Sequence, residues 1–285
     1  MKHVRRTQIE AALLVNRCHK NFFDGVHRQE MVQEMVTSTA QPPRARRRPG
    51  SRISWTVVTL ISLAIAGYFV GQYASGNLQA LAADEVGLAT TYANRPGFVQ
   101  AAFWIHIISA GLALAVGPFQ FAKPVRRRFP AVHRWIGRIY VVSIAFASAS
   151  GLVMAVYSSA ALIGFFGFGT LAVLWGWTTY RGYRAVRTGD IASHQAWMIR
   201  SFALTFAAPT LRLWLGTLIG IQLLAGRTDF DQIFDNSYAV VPFMCWLPNI
   251  VVAEVMIYRR NLPGLRFSPS PTSRRRAQAV TGAGA

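Results

Sequence analysis

Six stretches of the chain carry almost no charge for twenty or more residues, and polar clusters separate them. Ile53–Tyr73 contains no charged residue at all. At ~1.5 Å per helical residue it is long enough to cross a hydrocarbon core of ~30 Å. Phe98–Ala122, Trp135–Tyr157, Ala160–Tyr180, Trp197–Ala225 and Tyr238–Tyr258 repeat the pattern. The prediction is therefore an all-α integral membrane protein, a bundle of six transmembrane helices. The second to fifth spans would form its core and the first and sixth its periphery. Pro209 predicts a kink in the fifth span, because proline removes a helical N–H and crowds the preceding turn.

The flanks read differently. Residues 1–52 are polar and basic, with Pro42, Pro43 and Pro49 around Arg44, Arg46, Arg47 and Arg48. The apolar run Ala11–Val15 is far too short for a signal-peptide core. This segment is expected to be disordered or partly helical, either as a genuine tail or, over residues 1–35, as an over-extended start with Met31 or Met35 as the initiator. Residues 53–258 make the membrane domain, with 96–225 as its core. Residues 259–285 form a basic, Pro/Ser-rich tail expected to be disordered.

Composition supports this picture: 52% of residues are hydrophobic and only 14% charged, against about a quarter charged in a soluble domain. The net charge of +19 would suit a nucleic-acid binder, but the basic clusters alternate with membrane spans, which excludes that class. Of the 30 Lys and Arg, 27 flank the spans on the side shared by both termini. The opposite loops hold Arg95 and Arg227 against Asp84, Glu85, Asp229, Asp231 and Asp235. By the positive-inside rule both termini are cytoplasmic, and a multi-pass protein of the bacterial cytoplasmic membrane is expected. Cys18 and Cys245 are unsuited to a disulfide, and no CxxC or Cys/His cluster suggests zinc or iron–sulfur. Two GxxxG pairs, Gly67 with Gly71 and Gly216 with Gly220, read as ordinary helix packing rather than a dimer seam.

A weak repetition carries the candidate chemistry. The basic loop into the third span ends in His133, Arg134 and Trp135, with Arg138 following; the loop into the fifth ends in His194 and Trp197, with Arg200 following. Each histidine would sit at the mouth of its helix, at matching depth. Two neutral imidazoles from different helices are what a low-spin b-type haem requires as axial ligands. Arg138 and Arg200 would pair with its carboxylates. The competing reading makes both histidines interfacial residues and both tryptophans aromatic-belt anchors. His106, within the second span, and Arg212, near the middle of the fifth, are intramembrane ionisable residues and hence candidate sites by default. No carboxylate lies at the depth of Arg212. Backbone carbonyls or an external acceptor, such as a haem propionate, a quinone carbonyl or a lipid phosphate, must satisfy it. Glu254 lies closer to the depth of Arg200. No nucleophile–base constellation, phosphate loop or metalloprotease motif occurs.

These positions also carry a resemblance. Over about residues 96–225 the chain resembles the bacterial membrane proteins grouped as "domain of unknown function 2306". The likeness rests on His106 with Gly111, on Gly117-Pro118-Phe119-Gln120-Phe121, and on His133-Arg134-Trp135-Ile136-Gly137-Arg138-Ile139-Tyr140-Val141. It continues in His194 with Trp197-Met198-Ile199-Arg200-Ser201 and in Leu211-Arg212-Leu213. The resemblance implies architecture and no activity. A looser similarity is to transmembrane di-haem cytochromes b, which carry two histidine pairs on a four-helix core. The fourth span here has no histidine, so at most one bis-histidine haem could form.

The functional expectation is a redox or cofactor-handling membrane protein. His133 and His194 would hold a b-type haem iron; Arg138, Arg200 and Arg212 would hold anionic groups; and His106 would meet a second ligand such as a quinone headgroup. The rival is a non-catalytic partner within a larger membrane complex, or a small-molecule permease, with structural His and Arg residues. Substrate, oligomeric state and whether the chain is an enzyme are not readable from its residues.

Overall fold

The computed structural model describes residues 50–73 and 77–265, so the expected segment 1–49 and the tail beyond 265 lie outside the described residues. Within them the chain is helical, with no strand. In chain order the helices are α1 (Gly50–Tyr73), α2 (Leu78–Ala83), α3 (Ala89–Tyr92), α4 (Gly97–Gln120), α5 (Lys123–Arg128) and α6 (Pro130–Val156). They continue with α7 (Ala161–Arg187), α8 (Ile191–Thr205), α9 (Ala207–Leu224), α10 (Phe230–Met244) and α11 (Leu247–Arg259). Six segments are long and apolar enough to cross a membrane: Ile53–Tyr73, Gly97–Gln120, Pro130–Val156, Ala161–Arg187, Ile191–Leu224 and Phe230–Arg259. The chain is a multi-pass membrane bundle, as the hydropathy pattern predicts.

The helices outrun their apolar windows, mostly by polar turns. α6 opens on Pro130, whose fixed φ and missing N–H suit a first helical position. α8 opens behind Asp190, whose side chain accepts from the Ser193 N–H at 2.9 Å. His133 and His194, expected at loop ends, therefore lie in the first turns of α6 and α8. Hydropathy measures only the hydrocarbon thickness, while a helix runs on through the headgroup layer wherever its first turn is capped.

The last two spans are each broken near mid-length. α8 ends at Thr205 and α10 at Met244, each four residues before a proline, Pro209 and Pro248. The proline cannot donate to the carbonyl four residues earlier, so the ladder stops there. The kink expected at Pro209 thus becomes a break centred on Phe206, and the break after Met244 repeats the rule where no kink was expected. The two breaks are tied together. The Thr210 hydroxyl donates to the Cys245 carbonyl (2.8 Å), and the Asn249 amide donates to the Ala203 carbonyl (3.1 Å) and to Thr210 Oγ1 (2.8 Å).

The core runs through the second to fifth spans, as expected, but the sixth belongs to it. Ala113 of α4, Tyr140, Ile144 and Ala147 of α6, Trp175 of α7 and Leu204 of α8 pack in one cluster with Val241, Cys245 and Trp246. A buried hydrogen-bonded layer crosses it. The Tyr140 hydroxyl meets Ser201 Oγ (3.0 Å) and Thr205 Oγ1 (2.8 Å), the Trp175 indole donates to Thr205 Oγ1 (2.9 Å), and Thr179 Oγ1 meets Ser201 Oγ (2.7 Å). Gly117 allows this closeness, since a Cβ there would fall 2.7 Å from the Phe202 ring. The first span is peripheral. It reaches the bundle through Trp55, whose indole donates to the Pro118 carbonyl (2.9 Å), and through Tyr73, edge-on to Phe103 at 5.2 Å. A Cβ added to any of the four glycines of the two GxxxG pairs would have nothing within 4 Å. The packing expected there is therefore not made among the described residues of this chain. Outward-facing Leu60, Ile108, Phe146 and Phe166 are exposed, as a lipid-covered belt must be.

Candidate functional site

Two groups of polar side chains stand apart along the bundle. One occupies the end where the basic loops gather. There His194 Nδ1 lies 2.9 Å from the Gly182 carbonyl of α7. A carbonyl only accepts, so Nδ1 carries a proton, and in the neutral form of the ring the lone pair is on Nε2. Gly182 makes this approach possible: a Cβ on it would meet the Met198 sulfur at 2.7 Å. His133 lies within electrostatic reach of His194 and of Arg126. Its own partner is Gln120, the last residue of α4. In the amide orientation that suits its neighbours, Gln120 Nε2 donates to His133 Nδ1 (2.9 Å) and to the His133 carbonyl (3.3 Å), while Oε1 accepts from the Gly137 N–H (3.3 Å). That orientation puts the proton of neutral His133 on Nε2, the tautomer opposite to that of His194.

Arg200 lies deeper in the same end and is only 2% exposed. Its Nε and Nη2 donate to the two carboxylate oxygens of Glu254 on α11 at 2.6 and 2.9 Å, the paired geometry that a guanidinium makes best. Trp197 covers it, with the guanidinium carbon 4.7 Å from the indole centroid. The remaining nitrogen, Nη1, is buried without a hydrogen-bond partner. Arg138 is different. It is exposed and stacks over Trp135 at 4.9 Å, so of the two arginines in the repeated motif only Arg200 is drawn inside.

The second group lies in the other half of the bundle. His106 Nδ1 meets the Ala147 carbonyl of α6 at 2.8 Å, which again leaves Nε2 free. Its ring rests against Gly151, where a Cβ would come within 3.1 Å. Arg212 on α9 donates through Nη1 to the Ala208 carbonyl (2.9 Å) and lies 3.9 Å from the Phe69 centroid of α1. It is within electrostatic reach of His106, Tyr73 and Tyr238. As expected, no carboxylate among the described residues pairs with it. The six candidates thus fall into His133, His194 and Arg200 at one end, His106 and Arg212 in the other half, and Arg138 on the surface.

Sequence reasoning left three participants without a role: Gln120, Gly182 and Phe69. Gln120 had a signal, being a polar residue closing an apolar span inside the quoted motif. Gly182 and Phe69 had none, since an acceptor carbonyl and an aromatic face have no residue pattern of their own. No group of three or more potential metal-binding side chains gathers among the described residues.

The fold and this arrangement define a six-span helical membrane protein with ionisable residues drawn into its bundle. The family model described as "Predicted membrane protein (DUF2306)" matches residues 103–257, and the chain belongs to that family. The match takes in His106, both histidines of the repeated motif, Arg212 and Glu254. No curated protein and no solved structure matches the chain.

Proposed function

We propose that this protein handles a redox cofactor in the membrane, with a b-type haem held at its basic end between α6 and α8. The observation that supports the reading is that His133 and His194, from two spans, lie within electrostatic reach of each other. His194 already has the tautomer a metal ligand needs, its Nδ1–H engaged by a backbone carbonyl and its Nε2 lone pair free. The orphaned Nη1 of Arg200, on the same helix and ~9 Å further in, suits a buried carboxylate such as a haem propionate. His133 fits only after rotation of the Gln120 amide, which would let Oε1 accept from Nδ1–H and free Nε2. When bound, haem would supply one-electron transfer; the chain would supply the imidazoles and the anion partner. His106 and Arg212 would serve a second, lipophilic ligand with a polar carbonyl, such as a quinone headgroup: Arg212 has donors to spare and His106 an acceptor. By the positive-inside rule the haem end faces the cytoplasm of a bacterial cell. The test is the absorption spectrum of the protein in mild detergent, oxidised and dithionite-reduced. A Soret band with sharp reduced α and β bands is expected, lost in His133→Ala and in His194→Ala and kept in His106→Ala.

The paired breaks at Phe206 and Cys245–Trp246 favour one other reading, a permease, because discontinuous spans at mid-depth line the binding sites of many transporters. A colourless protein that moves a solute into sealed vesicles would replace the redox reading with this one.

A further inference from the structure

Beside the first group, and sharing Trp197 with it, the turn between α7 and α8 forms a recess of ≈ 340 Å³, at the small end of the ~300–1,000 Å³ range of ligand pockets. Its wall carries Arg181, Arg184, Thr188, Asp190, Ser193 and Trp197. Both cations are exposed and lie beside aromatic rings. Arg181 lies 4.9 Å from the Trp197 centroid and 5.5 Å from that of Trp177, and Arg184 lies 5.9 Å from the Tyr180 centroid. Asp190 is committed to its charged form, since the Ser193 N–H that it caps holds its carboxyl below the usual range. Two guanidinium groups and one carboxylate therefore line a single recess of headgroup size.

The surroundings set the depth. Trp177 is 50% exposed, Tyr180 49% and Tyr183 40%, and aromatic side chains exposed near the end of a span mark the membrane interface. The recess thus lies in the headgroup layer, with apolar surface beside it on α7 for acyl chains. We propose that it binds the phosphoethanolamine headgroup of a membrane phospholipid. Arg181 and Arg184 take the phosphodiester through charge-assisted hydrogen bonds, and the Asp190 carboxylate takes the ammonium. The carboxylate sets the choice: it attracts a zwitterionic amine headgroup and repels a purely anionic one.

The experiment is native mass spectrometry of the full chain in detergent, offered phosphatidylethanolamine, phosphatidylglycerol or inorganic phosphate, with thermal melting in parallel. The wild type is expected to retain phosphatidylethanolamine in preference to phosphatidylglycerol and to melt higher with it, and to show neither response to inorganic phosphate. In Arg181→Gln/Arg184→Gln retention falls about a hundredfold, the loss expected when two charge-assisted hydrogen bonds are removed. Asp190→Asn shifts the preference toward phosphatidylglycerol. If the double variant does not fold, Thr188→Glu, at an exposed position, places a carboxylate where the phosphate would lie and must abolish retention. Undiminished retention in the foldable variants, equal retention of the two lipids by the wild type, or the same melting shift from inorganic phosphate would each overturn the proposal.

Discussion

The fifth span carries two arginines into the bundle, and the two are accommodated by different chemistry. Arg200 has a carboxylate: Glu254 engages two of its nitrogens and Trp197 covers it, leaving only Nη1 unmet. Arg212 has none among the described residues; it lies on the Phe69 ring and donates to the carbonyl one turn back in its own helix. The difference follows from depth. Glu254 is close to the end of its span, where a carboxylate is tolerated, and can lie half in and half out at 35% exposure. At the level of Arg212 a second charge would add its own insertion cost, and an aromatic face offers a partner without one. Arg200 is thus fixed by a counter-ion, whereas Arg212 rests on a ring and a carbonyl of its own helix.

Breaking the ion pair should show the largest effect. Glu254→Gln strands a buried guanidinium and is expected to cost about 3 kcal/mol, at the low end for a buried pair because Glu254 is partly exposed. Unfolding in a graded detergent series would measure it. The double variant Arg200→Met/Glu254→Gln should lose less than Glu254→Gln alone, and equal losses would mean that the pair is not coupled. The contrasting site should respond less. Phe69→Leu is expected to cost about 1–2 kcal/mol through the lost cation–π contact, and that cost should vanish in an Arg212→Met background. If it persists there, Phe69 acts through packing alone.

Between the two arginines lies the hydroxyl layer, where Tyr140→Phe removes one shared donor. A loss of about 0.6 kcal/mol is expected, the usual worth of an interhelical hydrogen bond in a membrane protein. The smallest effect belongs to the rim. Asp190→Ala removes the cap of α8 and should lower the melting temperature slightly at neutral pH. The wild-type carboxyl is held below its ordinary value, so its contribution is fully present above the ordinary carboxylate range and is lost as the pH falls through the lowered value. The two melting curves should then converge in acid; a difference that does not depend on pH would exclude a role for the charge.

The apolar runs were enough to read six spans, the peripheral first helix and the lack of a carboxylate beside Arg212 among the described residues, because each depends only on order along the chain. The depth of Glu254 likewise suggested its pairing with Arg200. The breaks were half readable: Pro209 marked one, whereas nothing in the sequence sets Pro248 apart from Pro118 and Pro242, which lie inside continuous helices. What composition could not supply was contact chemistry. Nothing in the residue order states that the Gly182 carbonyl meets His194, that Gln120 faces His133, or that Phe69 from the first span covers Arg212. Those partners come from helix rotation, which charge clusters and hydropathy leave open. Arg138 and Arg200 hold equivalent places in the repeated motif, yet one is exposed and the other buried, since only α8 has a glutamate-bearing neighbour against it.

The most direct test of the redox reading is the haem content per chain, measured as the pyridine haemochrome of protein purified from cells able to supply haem. On that reading, with one candidate histidine on each of the third and fifth spans and none on the fourth, one haem per chain is expected. A value near zero would contradict the cofactor assignment, and a value near two would mean that the pairing of His133 with His194 is not the whole ligand set.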